Sequence, residues 1–591
     1  MNNKRNSNEK PKDFVMGTKK LIHYLHAFLP AIIVALIISA LGSVLSIVGP
    51  NKLSELTDII TAGLLTGIDL EAVGRIALFL LILYLLSAIF NFASGFIMST
   101  VTNKFSFFLR SKISEKINKL PLKYFDHHSY GDILSRVTND VDTINQTMHQ
   151  SLGTLIGAIT LFVGTVIMMF VTNPIMAITA IVASLIGFSF MFVIMIKSQK
   201  YFDLRQIELG KLNDHIEEVY SSLNVVKAYN GKKEANEEFN RLDHDVYVAN
   251  LKSQFLSGLM QPIMSFIGNF GYVCVCIVGA VLAINGHITF GVIVAFMIYV
   301  RLFTGPLNQI AQGVTSLQST IAASERVFEF LESREMKAEV AKRQLNKSKV
   351  KGNITFDHVK FGYSKDKIII KDFSLDVKAG EKIAIVGPTG AGKTTLVNLL
   401  MKFYDINDGD IVIDGVSTKE LTRENIHDLF IMVLQDTWLF NGTIKENIIY
   451  NKEGVSDETV IQALKTVGVY HFVKSLPGGL NYEINDSDSI SAGQKQLLTI
   501  ARGMVKDAPF LILDEATSSV DTRSEELVQQ AMDKLTEGRT SFIIAHRLST
   551  IKNADKILVM QEGNVVEQGT HEELLKKNGA YAELYNSQFQ N

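Results

Sequence analysis

Apolar positions fall along this chain in two regimes. Up to about residue 332 they form long unbroken blocks, and from Asn353 onward they come in short strand-length bursts alternating with helical spacing. Six blocks, near residues 28–49, 75–97, 153–172, 175–196, 257–284 and 291–315, are each long enough for a helix that crosses a bilayer, which takes about 20 apolar residues. The later alternation of strand and helix predicts an α/β domain of ordinary size. The predicted organisation is a tail at 1–18, an all-α six-helix membrane domain at 19–332, a charged aperiodic linker at 333–352 and an α/β domain at 353–591.

The connections predict an orientation. Segments 173–174 and 285–290 carry no Lys or Arg, and the 50–74 loop sets Lys52, with Arg75 at its margin, against Glu55, Asp58, Asp69 and Glu71. The tail and the long loops near 98–150 and 197–256 are rich in Lys and Arg. Positive charge marks the cytoplasmic side, so a multi-pass cell-membrane protein with both termini in the cytosol is expected. Both long loops keep helical periodicity and break once, at Leu120-Pro-Leu-Lys-Tyr-Phe125 and at Ser221–Gly231. Apolar tips on polar stalks need a protein partner to cover them.

Composition narrows the reading only a little. The 591 residues are 47% hydrophobic with a formal net charge of −2, so nothing global points to nucleic acid. Cys274 and Cys276 alternate within one apolar helix, where they read as packing residues; no zinc-ligand spacing occurs. The first twenty or so residues are polar and lysine-rich, without the short apolar core of a secretory signal. Arg301, near Tyr299, Phe303 and Pro306, is the main ionisable residue within the spans and a candidate functional residue, or else one facing a water-filled cavity or paired with a carbonyl. Asn91, Gln261 and Asn269 line a pathway or bond neighbouring helices. Stripes such as Met168-Met-Phe and Phe188-Ser-Phe-Met-Phe suit packing, lipid contact or an adaptable surface for apolar ligands.

The sharpest motif is Gly387-Pro388-Thr389-Gly390-Ala391-Gly392-Lys393-Thr394, a full G-x-x-x-x-G-K-T phosphate loop. Its glycines let consecutive N–H groups turn toward phosphate oxygens. Lys393 would reach the outer phosphates and the Thr394 hydroxyl would ligate Mg²⁺. The loop lies between the apolar strand Lys382–Val386 and an amphipathic helix from Lys393, which puts the phosphates at a helix N-terminus.

Further chemistry follows in order. Phe510-Leu-Ile-Leu-Asp514-Glu515 is a buried strand ending in two acids: Asp514 can hold the Mg²⁺ water shell and Glu515 can orient or deprotonate the attacking water. His546, after the strand Ser541–Ala545, can contact the γ-phosphate. Gln435, beyond the strand Phe430–Leu434, can offer its amide oxygen to Mg²⁺ or the water. Tyr363 can stack on adenine. Ile490-Ser-Ala-Gly-Gln494 opens a helix whose Ser491 hydroxyl and Gly493 amide make a second anion site. One chain already has a phosphate loop, so this second site is read as completing the nucleotide site of another subunit.

Together, Tyr363, GPTGAGKT, Gln435, ISAGQ, LILDEATSSVD and His546 resemble the motif series of ATP-binding cassette (ABC) proteins, and six preceding spans make the chain similar to a bacterial half-exporter of the multidrug type. The resemblance covers nearly the whole chain after the tail. It implies ATP and Mg²⁺ as cofactors, held by Tyr363, the loop from Gly387 through Thr394 and Thr395, Gln435 and Asp514. It implies Glu515, His546, Lys393 and Gln435 as the catalytic set, and Ser491, Gly493 and Gln494 as the signature that contacts a partner's nucleotide. It also implies two six-helix units with exchanged helices and nucleotide domains that close head-to-tail. Tips near 120–129 and 221–230 would be coupling helices, and Asp521 would lie in the loop joining the two nucleotide sites. Where the family commonly has Leu-Ser-Gly-Gly-Gln, Ile490 and Ala492 replace Leu and the first Gly; with Asn485-Asp-Ser-Asp488 before them, this resembles the catalytic-glutamate subunit of heterodimeric exporters. The expected function is ATP-driven outward movement of small apolar or amphipathic compounds in contact with membrane lipid, with a second half-transporter as partner. The alternatives are a lipid flippase and a nucleotide-gated regulatory subunit.

Overall fold

The computed structural model describes residues 13–364, 367–435, 437–485, 490–514, 522–545 and 551–589, without the side chains of 65, 66, 522, 523, 588 and 589. The chain divides into two compact units. One comprises the residues up to Asn118 with Tyr130–Ser333; the other comprises Lys119–Ser129 with Arg334–Asn591.

The first unit is all helix. In chain order the segments are α1 (Phe14–Leu25), α2 (Leu29–Thr66), α3 (Leu70–Lys119), the short α4 (Leu122–Asp126, which belongs to the second unit), α5 (Tyr130–Thr172), α6 (Pro174–Ser221), α7 (Leu223–Ala228), α8 (Lys232–Ile284) and α9 (Phe290–Leu331). Six helical stretches among the described residues are long and apolar enough to cross a membrane, as the sequence pattern anticipated.

Two details differ from the expectation. Helix α1 begins at Phe14, inside the expected tail, because the Asp13 carboxylate caps it by accepting the N–H groups of Val15 and Met16 at 3.0 Å. Helix α2 runs straight through Pro50 to Thr66, so most of the expected 50–74 loop is helical. A proline removes one hydrogen bond from a helix, and here the ladder on either side of a buried Pro50 holds the helix together.

The core of this unit gathers Met169, Met176, Ala177, Ala180, Val275, Phe296, Tyr299 and Phe303 from four helices. Helix α5 contains two π-helical turns, Arg136–Asp140 and Met148–Leu152. Such turns occur mostly where a helix carries function or meets an unusual neighbour. At the first of them the buried Asp140 carboxylate accepts two hydrogen bonds from Arg326 of α9, at 3.0 and 2.5 Å, which locks the two stalks together.

The second unit is α/β. Its strands are β1 (Ile354–Phe361), β2 (Ile370–Val377), β3 (Lys382–Val386), β4 (Asp408–Ile413), β5 (Val416–Ser417), β6 (Phe430–Val433), β7 (Gly442–Thr443), β8 (Glu483–Ile484), β9 (Phe510–Asp514), β10 (Thr540–Ile544), β11 (Lys556–Gln561) and β12 (Asn564–Gly569). A six-stranded sheet has the order β12-β11-β3-β10-β9-β6, parallel except for β12, and a four-stranded antiparallel sheet has the order β2-β1-β4-β5. Buried Val, Ile and Leu run along β3, β9 and β10, as expected for parallel strands covered on both faces.

Candidate nucleotide site

Ligands of parallel α/β sheets bind beyond the carboxyl ends of the strands. Here the register aligns those ends. Ile544 lies opposite both Ile385 of β3 and Asp514 of β9, and Val433 of β6 lies opposite Leu513. The phosphate loop, Asp514 and Gln435 therefore leave the sheet at one edge, with the exposed Gln435 two residues past the end of β6. Glu515, His546 and Asp521 lie outside the described residues. The residues before the first two, Asp514 and Ala545, are at this same edge.

The loop feeds helix α10 (Lys393–Leu400), whose N-cap Gly392 has φ +101° and makes no side-chain capping bond. First-turn N–H groups of such a helix have no partner within it and face incoming anions. Gly387 is required for a second reason: at φ +150°, a Cβ there would lie 2.2 Å from the Met560 carbonyl of β11. Pro388, Thr389 and Gly390 are exposed at the rim, and Ala391 and Gly392 are buried beneath them. The Lys393 ammonium is folded under the loop, donating to the Gly387 carbonyl at 2.6 Å and the Pro388 carbonyl at 3.0 Å. Burial holds its pKa below the ordinary lysine value, opposed by the nearby Asp514 carboxylate. An ammonium stripped of water interacts more strongly with phosphate than a solvated one.

The oxygen donors available, the exposed Thr394 hydroxyl, the Asp514 carboxylate and the Gln435 amide, are the hard ligands that Mg²⁺ takes. Among the described residues no three His, Cys, Asp or Glu side chains cluster as a metal cage.

Tyr363 sits half-buried beside α10. Its hydroxyl lies 3.3 Å from Thr395 Oγ1, and its ring packs edge-on against Phe361 and Tyr404, each at 5.0 Å. Tyr404 was not singled out from the sequence, yet it ties this aromatic cluster to α4: its hydroxyl donates to Asp126 Oδ2 at 2.8 Å. The available signal was Phe403-Tyr404, an aromatic pair just past the end of α10.

The residues expected to form a second anion site stand at the start of α11 (Ala492–Lys506). Ser491 and Gln494 form a reciprocal capping box, with Gln494 N–H donating to Ser491 Oγ at 3.2 Å and Ser491 N–H to Gln494 Oε1 at 3.0 Å. Gly493 is buried within the first turn. Ile490 is buried in the hydrophobic core, so it anchors the signature as a leucine would. Ala492 is exposed and has no positive φ, so the backbone does not require glycine there.

Comparison with known proteins agrees with this geometry. Residues 32–307 match the ABC transporter transmembrane region and residues 370–518 match the ABC transporter family. The chain is 43% identical over 519 residues to a fatty acid ABC transporter ATP-binding/permease protein of Mycobacterium bovis, covering 88% of this chain and 82% of that one. It is 36% identical over 582 residues to YfiC of Bacillus subtilis, an uncharacterized ABC transporter ATP-binding protein, covering 98% and 96% of the two chains. An ATP-dependent lipid A-core flippase of Syntrophus aciditrophicus is 31% identical over 522 residues, 88% of this chain and 86% of that one. A polytopic membrane unit joined to a cassette ATPase defines the class, and this chain belongs to the ABC transporter family, as an ATPase coupled to transmembrane transport.

Proposed function

We propose that this chain is one half of an ATP-driven exporter that moves acyl-chain amphipathic compounds outward across the cell membrane, both termini being cytosolic. The observation that carries the substrate class is a cavity of about 400 Å³ between α5, α6, α8 and α9, walled by Phe162, Phe188, Met191, Met264, Phe303 and Leu307. An apolar lining with few polar groups selects by shape and hydrophobicity, and thioether and aromatic side chains adapt to varied chains. Relatives named for fatty acid transport and lipid A-core flipping support the same class. The flippase relative also lends support to the second reading, a lipid flippase, which uses the same machinery with a different cavity lining.

The nucleotide site is a composite. Tyr363, the loop from Gly387 through Thr395, Gln435 and Asp514 bind Mg·ATP, Glu515 is the base, and Lys393, Gln435 and His546 act on the γ-phosphate and the water. Ser491, Gly493 and Gln494 face the nucleotide of a second half-transporter. Two uncovered surfaces support that partner. The α7 tip exposes Tyr220, Val225 and Tyr229, and the nucleotide-binding unit has an open groove of about 1020 Å³ beside exposed Leu434 and Trp438. With Ile490 and Ala492 in its signature, the partner is read as a different chain whose acid is altered.

The test is reconstitution, with and without a candidate second half-transporter, scoring ATP-dependent transfer of a fluorescent fatty acid and of a cationic dye. Transfer of the fatty acid by the pair, abolished by Glu515→Gln, is the expected result. Robust hydrolysis by this chain alone would remove the heterodimer, and transfer that survives Glu515→Gln would remove the pump.

A further inference from the structure

Helix α9 changes character at Arg301. Every residue from Gly291 to Val300 is buried or half-buried and none is charged. From Arg301 onward one face is open and polar: Arg301, Gly305, Asn308, Gln312, Thr315 and Ser319 are all exposed. Their spacing of four, three, four, three and four residues keeps them on one side of a 3.6-residue helix. The stripe covers roughly 27 Å of helix at 1.5 Å per residue, so with Arg301 near the middle of a hydrocarbon core about 30 Å thick only its Arg301–Asn308 part lies within the core, and Gln312, Thr315 and Ser319 lead out of it. Arg301 stands about 16 Å along the helix from its apolar end, near mid-bilayer depth. Amides and an arginine at such depth are tolerated only where they meet water or a polar partner. The stripe is therefore one wall of a polar path that enters from the end where α9 continues toward Leu331 and stops at a fixed cation.

The path and the acyl cavity share a residue. Asn308 lines the cavity together with Phe303, Leu307 and Ala311, and it lies two helical turns, about 10 Å, from Arg301 on the same face. A polar track ending in a guanidinium thus runs beside an apolar pocket with room for about a dozen water-sized groups. That juxtaposition is what an amphiphile with a negative head requires.

We infer that Arg301 is the headgroup site for an anionic acyl amphiphile, a carboxylate or phosphate on a long chain, whose tail occupies the cavity beside Asn308. A guanidinium offers a planar fork of donors to either anion. No acid within the spans competes for it: none of the six apolar stretches, 28–49, 75–97, 153–172, 175–196, 257–284 and 291–315, contains Asp or Glu. The head would travel along the Ser319–Asn308 face and be held at Arg301, while the closed Gly291–Val300 segment blocks exit until the helices rearrange. This inference rests on the acyl-substrate reading above and adds charge selectivity to it.

The experiment is equilibrium binding of radiolabelled palmitate to the full-length chain, with its partner, in lipid nanodiscs. The competitors are hexadecyl phosphate, hexadecanol and hexadecyltrimethylammonium. Palmitate and hexadecyl phosphate should compete at similar concentrations, and hexadecanol and the ammonium at least tenfold less well. Arg301→Gln should weaken palmitate about tenfold, to the level of hexadecanol, and Arg301→Lys should restore most of the loss and serve as the folding control. A preference for palmitate over hexadecyl phosphate, or the reverse, identifies which anion is the natural head. Equal competition by hexadecanol, or palmitate affinity unchanged in Arg301→Gln, overturns the headgroup site and leaves the acyl reading standing. Failure of every long-chain compound to bind overturns both.

Discussion

Asp58 closes its carboxylate over the start of α9, accepting the Gly291 N–H at 2.8 Å through one oxygen and the Thr289 hydroxyl at 2.8 Å through the other. It reaches there from α2, across more than two hundred residues of sequence, and pins the ends of the first and last spans together. An acid at a helix N-terminus satisfies an orphan donor and meets the positive end of the helix dipole. Gly291 permits the approach, since a Cβ there would lie 2.2 Å from the Ser54 carbonyl.

That latch should govern how readily this end of the bundle opens. Asp58→Asn should cost ~1 kcal/mol of closure, about fivefold in the opening equilibrium, and Gly291→Ala should cost more. The measurement is the rate at which a polar maleimide labels Ser54→Cys in protein lacking Cys274 and Cys276. Equal labelling rates with and without Asp58→Asn would show that the contact does not hold the ends closed.

Tyr404 lies between Tyr363, the proposed adenine platform, and α4. It packs edge-on against Tyr363 and donates to Asp126, and burial, reinforced by the Asp126 carboxylate, holds its pKa above the usual phenol value. Tyr404→Phe keeps the ring contacts and deletes a hydrogen bond to a charged acceptor, which is worth about 1.5–3 kcal/mol. ATP affinity should change less than twofold, while stimulation of ATPase by transported substrate should fall severalfold. A variant with intact stimulation would remove Tyr404 from the relay.

His427 gives a pH dependence. Burial lowers its pKa below the ordinary imidazole value; the Met401 carbonyl contact at 2.9 Å opposes this, and Lys506 and Arg423 add to the lowering. With the folded pKa below the unfolded one, the unfolded chain takes up the proton first. Stability is then unaffected well above about pH 6.5 and is lost as pH falls below it. The slope due to His427 should stay under about 1.4 kcal/mol per pH unit, because the two states differ by at most one proton at this group. Melting temperatures of the full chain between pH 7.5 and 5.5 should fall less in His427→Gln than in the parent. Parallel falls would mean that other groups set the acid sensitivity.

The six spans, the two helical breaks and the phosphate loop were legible because each rests on local chemistry: apolar length, a proline or glycine break, and glycines before a lysine. The continuation of α2 through Pro50 was not, since local rules end a helix at proline and only the surrounding bundle shows that one lost bond is tolerated. Asp13 as a helix cap hid inside a lysine-rich segment that reads as tail. Tyr404–Asp126 and Asp58–Gly291 join residues hundreds of positions apart and have no sequence signature. The polar face of α9 was present in the spacing of Arg301, Asn308, Gln312 and Ser319, but its meaning depends on which faces the other helices cover.

The last prediction separates the two halves of the composite site. In the proposed composite site Lys393, folded under the phosphate loop, would serve the nucleotide bound by this chain, whereas Ser491, at the capped start of α11, would serve the nucleotide bound by the proposed partner. Ser491→Ala removes a cap worth about 1 kcal/mol and would remove the proposed phosphate contact, and Ser491→Thr should keep both. In the assembled pair, Lys393→Ala should abolish photolabelling of this chain by 8-azido-ATP and leave labelling of the partner. Ser491→Ala should do the reverse, weakening partner labelling severalfold while Ser491→Thr preserves it. Loss of labelling on this chain in Ser491→Ala, with the partner unaffected, would mean that the signature serves its own nucleotide and that the head-to-tail arrangement is wrong.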